Sequence, residues 1–158
     1  MTYINGLLDR FIFVTLCKIM KLKIKKLRVD AILPTRAHHD DAGADLYSCG
    51  DWEIAPGTRV VIPTGVALQI EDGYVGLIWD KSGIGAKGLK SLGGVLDAGY
   101  RGEIFVTLHN LSDVPYLFSH GHKIAQLLIQ KVEFPELEEV TELDNSKRGD
   151  KGFGSTGA

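Results

Sequence analysis

The stretch that decides the fold is residues 58–79, TRVVIPTGVALQIEDGYVGLIW. Both of its apolar segments, residues 58–70 and 73–79, are rich in β-branched and aromatic side chains, which favour strands over helices. The Glu-Asp-Gly triplet that separates them is a turn signal. The stretch therefore predicts two strands with a turn between them.

The same pattern of short strands and turns continues in both directions along the chain. KLKIKKLRV (residues 21–29) alternates with a period of roughly two, and GEIFVTLHN (102–110) and KIAQLLIQKVEF (123–134) are further strand-like runs. Only GIGAKGLK (83–90) suggests a helix, and a short one. We therefore predict one all-β domain, a barrel or sandwich, with at most one short helix.

Composition limits the classes of function. The chain has 158 residues and a net charge of −2, which is enough for one core and gives no basic patch for nucleic acid. Its two cysteines, Cys17 and Cys49, have neither metal-site nor redox spacing and fit a reducing compartment. We expect a cytoplasmic protein that binds neither nucleic acid nor a membrane.

The first 19 residues are expected to form an extension outside the fold. Their apolar run FIFVTLC (11–17) is too short to span a bilayer, and the segment lacks the features of a signal peptide. The sequence from Met20, MKLKIKKLRVDAILP, is typical of a natural beginning. A membrane-associating segment is the alternative interpretation of residues 1–19.

Several short motifs are weak signals. GIGAKG (83–88) matches a dinucleotide-binding pattern, but LKSLGG follows it and interrupts the required helix. RGD (148–150) is a lone tripeptide, and HHDD (38–41) and HGH (120–122) lack the sequence partners of a zinc site. Solvated loops are the simpler interpretation of these motifs.

Five segments together are far more specific. They are DAGADLYS (41–48), DKSGIGAKG (80–88), GGVLDAGYRGEI (93–104), GHKIAQLLI (121–129) and RGDKGFGSTG (148–157). In order and spacing the five closely resemble the motifs of the trimeric dUTPases, the dUTP nucleotidohydrolases. The resemblance runs from about Leu27 to Gly157.

The resemblance implies a fold and an activity. It implies a dUTPase-like β-barrel of jelly-roll type over residues 20–146, followed by a flexible C-terminal lid over residues 147–158. It also implies a homotrimer whose active sites lie between subunits, and hydrolysis of dUTP to dUMP and diphosphate. The implied cofactor is Mg²⁺, held mainly by the substrate phosphates.

Chemistry and resemblance agree on the reacting centre. Asp97 lies in an apolar run just before a turn, where a carboxylate can take a proton from water or can simply cap the turn. The resemblance makes Asp97 the general base for the water that attacks the α-phosphate. It places Tyr100 under the deoxyribose, where the ring excludes a 2′-hydroxyl, and it assigns Gln126 to phosphate and water.

The resemblance also assigns the substrate-binding residues. The hairpin SLGGVLD (91–97) would recognise uracil largely through its backbone, because its glycines allow close approach. The nucleoside contacts implied are Ser91, Val95, Leu96 and Phe105. The phosphate contacts implied are Lys81, Ser82 and Gly83, with Asp45 acting on the metal only through water.

The tail RGDKGFGSTGA (148–158) has four glycines among eleven residues and one large apolar side chain, so it cannot hold itself folded. We expect it to close over bound substrate. Arg148 would pair with phosphate, Phe153 would stack on uracil, and Gly154, Ser155 and Thr156 would donate hydrogen bonds to the triphosphate.

The chain departs from the usual motifs at several positions. Asp80-Lys81 stands where Pro-Arg is usual, and an acid at position 80 would repel phosphate if it faced the site. Gly99 stands where a second acid is frequent, Ser91 where Asn is frequent, and His122-Lys123 where Asp-Arg is common. These departures bear on substrate affinity more than on the reaction.

Two rival functions remain. A dCTP deaminase shares the fold, but it would carry a catalytic Glu at the position of Thr107 and an Arg at that of Ala86. A bifunctional deaminase is disfavoured for the same reason. The other rival is a trimer of the same fold that binds nucleotide or a protein partner without catalysis, although such a module has no need of Asp97 or the tail.

Overall fold

A computed structural model describes residues 20–150 of the chain. The predicted extension, residues 1–19, and the lid residues 153–156 lie outside the described residues. The described part contains ten strands and one short helix. They are β1 (Lys23–Lys26), β2 (Ala44–Tyr47), β3 (Trp52–Ile54), β4 (Arg59–Gln69), β5 (Tyr74–Trp79), α1 (Ser82–Gly85), β6 (Leu89–Leu92), β7 (Val95–Leu96), β8 (Glu103–Asn110), β9 (Tyr116–Phe118) and β10 (Lys123–Lys131).

The strands form three antiparallel sheets. The first sheet has the order β1-β4-β8-β6, the second has the order β2-β10-β5-β7, and β3 pairs with β9 in a two-stranded sheet. The prediction of an all-β, jelly-roll-type fold with one short helix is confirmed. Among the described residues the strands pack as separate sheets and do not close into a single barrel.

The stretch 58–79 forms β4 and β5, as predicted, but the turn between them carries the chain from one sheet to the other. β4 lies between β1 and β8, and every residue from Ile62 to Leu68 is buried. β5 lies between β10 and β7 in the second sheet. The turn is therefore a corner of the sandwich, and it closes the core at Ile70, which is also buried.

Alternation along β8 shows why the strand patterns give a sandwich. Its residues alternate between the core and the outer face, with Ile104, Val106 and Leu108 fully buried. They pack with Leu46 of β2 and Leu127 of β10 in one hydrophobic cluster. A period of two places alternate side chains on one face of a strand, so the apolar set of each sheet meets that of the other.

No helix among residues 20–150 is long and apolar enough to cross a membrane. The single helix of this range, α1, has four residues and begins after Lys81. It lies between β5 and β6 and so brings the second sequence motif to the end of the second sheet.

Candidate active site

Three of the five motifs meet on β10 and its neighbours. The antiparallel register places Gln126 of β10 opposite Asp45 of β2 on one side and opposite Trp79 of β5 on the other. The Gln126 amide donates a hydrogen bond from Nε2 to the carbonyl oxygen of Asp80, at 2.8 Å. A side chain at Gly43 would overlap Gln126 Oε1, so glycine is required there for the amide to lie in this position.

The Asp45 carboxylate is buried between two lysines. Lys81 Nζ contacts Oδ1, and Lys123 Nζ lies 2.7 Å from Oδ2. Burial by itself would raise the pKa of Asp45, but the two ammonium groups outweigh it and hold the pKa below its ordinary value. The carboxylate in turn raises the pKa of Lys123. Asp45 therefore organises the positive charge of this region, which we call the phosphate cluster: Asp45, Lys81, Ser82, Gly83, Lys123 and Gln126.

Ser82 and Gly83 lie exposed at the start of α1. The first N–H groups of a helix have no intrahelical acceptor, and at Gly83 a Cβ would meet nothing within 4 Å. The loop thus offers a hydroxyl, open space and unpaired backbone donors, which suits an anionic group.

The predicted uracil hairpin spans the two large sheets. β6 belongs to the first sheet and β7 to the second, and Gly93 and Gly94 join them. A cavity of about 230 Å³ lies between this turn and the end of β5, and we call it the hairpin cavity. Its lining residues are Leu77, Ile78, Trp79, Lys90, Ser91, Gly93, Gly94 and Val95.

Backbone contacts shape the hairpin cavity. The Ile78 N–H donates to the Gly94 carbonyl at 2.7 Å, and a Cβ at Gly94 would lie 2.7 Å from the Ile78 carbonyl oxygen. Gly94 also has a φ of +116°, which a residue with a side chain rarely adopts. Only glycine allows this approach. The Ser91 N–H donates to Asp80 Oδ1 at 2.6 Å, and the Ser91 hydroxyl also bonds to this carboxylate, so the Ser91 carbonyl remains for a ligand.

Asp97 and Tyr100 lie together beyond β7. The Tyr100 N–H donates to the Asp97 carbonyl at 3.0 Å, which closes a turn, and the Tyr100 hydroxyl donates to the Glu103 carbonyl at 2.9 Å. Asp97 is exposed, and it lines a second cavity of about 370 Å³ together with Val95 and Phe134, among others. Val95 thus borders both cavities, and Asp97 is within reach of water at the end of the hairpin.

The other residues predicted to bind substrate lie apart from one another in the chain's structure. Leu96 is half-buried opposite Gly76 of β5, and Phe105 is half exposed on the outer face of β8 in the first sheet. Arg148, the first predicted lid residue within the described range, lies on the exposed segment after the last strand, where the Gly149 N–H donates to the Ser146 carbonyl at 3.1 Å. One chain therefore does not gather all the predicted residues around one point.

The main gap lies between Asp97 and the phosphate cluster. The register pairs Leu96 with Gly76, so Asp97 lies beside Val75 at one end of β5. Asp80 and Lys81 follow the other end of the same strand. Val75 and Asp80 are about five residue steps apart along the strand, a distance of about 16 Å. Within one chain, then, the candidate base and the phosphate cluster are held apart by a rigid strand.

Two lysines of the site were not predicted from the sequence. Lys123 was noted only as a motif departure, and Lys90 was not assigned any role; their partners are Asp45 and Asp80. One pair joins β10 to β2, and the other joins β6 to the residue that follows β5, so the sequence spacing gives no signal for either. The acidic side chain at position 80, expected to repel phosphate if it faced the site, is instead tied to Lys90 and Ser91.

One further cluster was missed by spacing rules. Asp30, Cys49 and His120 place one potential metal-ligand atom each within 4.8 Å of one another. However, the Gly50 N–H donates to His120 Nδ1 at 3.1 Å, and Arg28 lies 4.0 Å from Cys49 Sγ. Burial, with Asp30 nearby, raises the pKa of the Cys49 thiol. These three residues are therefore held by hydrogen bonds, and the Nδ1 lone pair of His120 is not free to bind a metal.

Comparison of the sequence with known proteins identifies its relatives. The model of the dUTPase family matches residues 29–157. The deoxyuridine 5′-triphosphate nucleotidohydrolase of Mycolicibacterium gilvum is 50% identical over 145 residues, covering 86% of this chain and 94% of the relative. The enzyme of the same name from Corynebacterium glutamicum is 49% identical over 140 residues, with the same coverage of 86% and 94%.

Solved structures with a similar fold are also dUTPases. The dUTPase of Staphylococcus bacteriophage 80alpha with dUpNHpp has a TM-score of 0.82 and 34% identity, covering 87% of this chain and 99% of that one. A point mutant of the dUTPase from phage phi11 of S. aureus, described with a structural Mg(II) ion, has a TM-score of 0.72 and 32% identity, covering 78% and 98%.

Proposed function

The chain belongs to the dUTPase family, and we propose that it hydrolyses dUTP to dUMP and diphosphate with Asp97 as its general base. The observation that carries the proposal is the family match over residues 29–157, which includes both Asp97 and the phosphate cluster. The activity removes dUTP from the precursors of DNA and supplies dUMP.

Asp97 accepts the proton of a water molecule, and that water attacks the α-phosphorus. The bond between the α-phosphorus and the α–β bridging oxygen breaks, and diphosphate leaves. The exposed position of Asp97 in the turn after β7 leaves its carboxylate open to such a water. Lys81, Ser82 and Gly83 stabilise the charge on the phosphates, and Gln126 helps to hold phosphate and water.

The hairpin and Tyr100 select the nucleoside. The hairpin cavity is bordered by backbone groups and by Gly94, where a side chain would clash with the Ile78 carbonyl oxygen, so it suits a small planar base. A thymine methyl or a cytosine amino group meets a steric or hydrogen-bonding mismatch there. The Tyr100 ring, fixed by its hydroxyl bond to the Glu103 carbonyl, leaves no room for a 2′-hydroxyl.

The separation within one chain supports active sites between subunits, as in the homotrimer that the resemblance implies. Asp97 and the phosphate cluster lie at opposite ends of β5, about 16 Å apart. A triphosphate whose α-phosphorus lies at Asp97 of one chain would therefore meet the phosphate cluster of another.

Mg²⁺ would enter with the triphosphate. Both oxygens of Asp45 are already engaged by Lys81 and Lys123, so this carboxylate suits an outer position reached through water. Mg²⁺ prefers phosphate oxygens and waters to an all-protein cage. When bound, it neutralises charge on the phosphates that leave.

The tail completes the proposal. Arg148 would pair with phosphate, and Phe153, Gly154, Ser155 and Thr156, which lie outside the described residues, would cover the base and the triphosphate. We also propose that the protein acts in the cytoplasm, as the cysteine content suggested. Neither the deaminase nor a binding-only role is favoured, because Thr107 and Ala86 provide no acid–base group and Asp97 is present.

The test is release of diphosphate in the presence of Mg²⁺ with dUTP, dCTP, dTTP and UTP at equal concentrations. We expect dUTP to be the strongly preferred substrate. Equal turnover of UTP would contradict the role of Tyr100, and ammonia released from dCTP would establish a deaminase instead.

A further inference from the structure

Asp80 bonds to three other residues of the site, although the sequence motifs assign it no role. Its Oδ1 accepts the Ser91 N–H at 2.6 Å, and its Oδ2 pairs with Lys90 Nζ. Its backbone carbonyl accepts Nε2 of Gln126 at 2.8 Å. The side chain is about three-quarters buried, with 23% of its surface exposed. The residue next to it, Lys81, is held by Asp45.

These contacts join β5 and β6, which belong to different sheets and are not paired with each other in the part of the chain that the structure describes. Asp80 follows β5 of the second sheet, whereas Lys90 and Ser91 belong to β6 of the first. The hairpin cavity lies between these two strands. Backbone pairing closes one side of it, where the Ile78 N–H meets the Gly94 carbonyl. The Asp80 carboxylate closes the other side.

We propose that Asp80 is a positioning residue that sets the width of the hairpin cavity and fixes it relative to the phosphate cluster. The proposal rests on the proposed function, because it takes the cavity as the site of the uracil base. Asp80 does not touch the reacting atoms. It acts through Ser91 and the β6 backbone, which it holds at a fixed distance from β5.

Charge explains why an acid is tolerated beside a phosphate-binding loop. The carboxylate is turned toward β6, where Lys90 neutralises it and a backbone N–H satisfies it. A hydrogen bond to an ionised carboxylate is stronger than one between neutral groups, so this contact holds β6 firmly. A proline at position 80 offers no side-chain acceptor and leaves the Ser91 N–H without this partner.

The test separates binding of the base from binding of phosphate. We would measure dUMP and diphosphate affinities by calorimetry, together with KM and kcat for dUTP, in full-length Asp80→Ala, Asp80→Asn and Lys26→Met. For Asp80→Ala we expect about a tenfold rise in KM and in the Kd for dUMP. Its kcat and diphosphate affinity should stay within about twofold of the wild type, because the tie does not reach the reacting atoms.

The other two variants are matched controls. Asp80→Asn keeps an oxygen that can accept the Ser91 N–H and should lie between wild type and Asp80→Ala. Lys26→Met removes an exposed lysine on β1, at the opposite edge of the first sheet from β6, and should leave dUMP affinity within about twofold of the wild type. Amide hydrogen exchange supplies a readout independent of activity: Ser91 should exchange faster in Asp80→Ala, while Ile78 should be unchanged.

The outcomes are distinct. A dUMP affinity of Asp80→Ala within twofold of the wild type would overturn the proposal, and so would equal losses of dUMP and diphosphate binding with a lowered melting temperature. If Asp80→Ala does not fold, Asp80→Asn and the Ser91 exchange rate decide. A wild-type protein that binds no dUMP and does not hydrolyse dUTP would overturn the proposed function itself, a result that none of the variants can imitate.

Discussion

At the scale of single residues, the reaction depends on Asp97. We predict that Asp97→Asn keeps the fold and substrate binding but loses about 10²–10⁴-fold in kcat, because the amide has the same shape and cannot accept the proton of water. Steady-state kinetics with dUTP and calorimetry with dUMP measure the two effects separately. Asp72→Asn, an exposed acid in the turn after β4, is the control and should keep full activity. A correctly folded Asp97→Asn protein with near-normal kcat would refute the assignment.

Asp45 gives a second residue-scale prediction, for stability. Replacing it with Asn leaves Lys81 and Lys123 close together without their shared anion, so we expect a loss of about 1.5–3 kcal/mol in the free energy of unfolding at pH 7. The exposed Asp113→Asn is the control and should unfold like the wild type. Urea unfolding followed by fluorescence measures both variants.

The pH dependence of this loss follows from the direction of the pKa shift. The folded-state pKa of Asp45 is lowered, so its stabilisation is fully present above the ordinary pKa of 3.8 and is lost as the pH falls through the folded value. The difference between wild type and Asp45→Asn should be constant from neutral pH to about pH 5 and should shrink only below pH 3.8. A difference that grows on acidification would contradict the ion-pair cluster.

At the scale of elements, the sequence predicts the strands well and their partners poorly. Residues 58–79 show two strands and a turn, because β-branched residues and a Glu-Asp-Gly turn are local signals. That the turn crosses between sheets depends on β4 pairing with β8 and β5 with β10. Such pairings are contacts between residues far apart in the sequence, which no local pattern encodes.

The same limit applies to the site. Asp97, Gln126 and the hairpin glycines lie in motifs whose spacing can be recognised. The roles of Lys90, Lys123 and the Asp80 side chain depend on which strands become neighbours. An acid at position 80 therefore looks unfavourable in the sequence, whereas in the structure it faces β6 and is neutralised. The grouping of Asp30, Cys49 and His120 escapes sequence spacing for the same reason.

The C-terminal tail is the element with the sharpest prediction. In a chain stopped after Ser146 we expect an unchanged melting temperature and oligomeric state, because the tail's composition provides almost no apolar surface for a core. We expect a large fall in kcat, since contacts to the triphosphate from Arg148 and residues 153–156 would matter most in the closed, reactive state. Calorimetry, light scattering and steady-state kinetics measure the three quantities.

A chain that lacks only Ala158 is the matched control for the truncation, and it should retain the wild-type rate. A truncated protein that turns over dUTP as fast as the full-length chain would exclude the lid. A marked loss of thermal stability would show instead that the tail contributes to the fold.

At the scale of the whole molecule, the position of Asp97 decides how the site is assembled. β5 separates Asp97 from the phosphate cluster of the same chain, by about 16 Å, and a paired strand in the middle of a sheet does not shorten. If catalysis needs both groups at one triphosphate, two chains must supply them. This requirement can be tested by mixing two inactive variants.

The first variant is Asp97→Asn, and the second is the double variant Ser82→Ala/Gln126→Ala, which leaves Asp97 intact. Each alone should have very low activity. After co-expression with two different affinity tags and tandem purification, mixed oligomers should regain activity. In the proposed trimer, each mixed ring holds two copies of one variant and one of the other, so one of its three sites pairs an intact Asp97 with an intact neighbouring phosphate cluster, and about a third of sites should work. The wild-type protein carrying both tags is the reference.

Mixed oligomers no more active than the two separate variants would mean that each chain builds its own site. The gap along β5 would then have to be closed by a rearrangement within the chain.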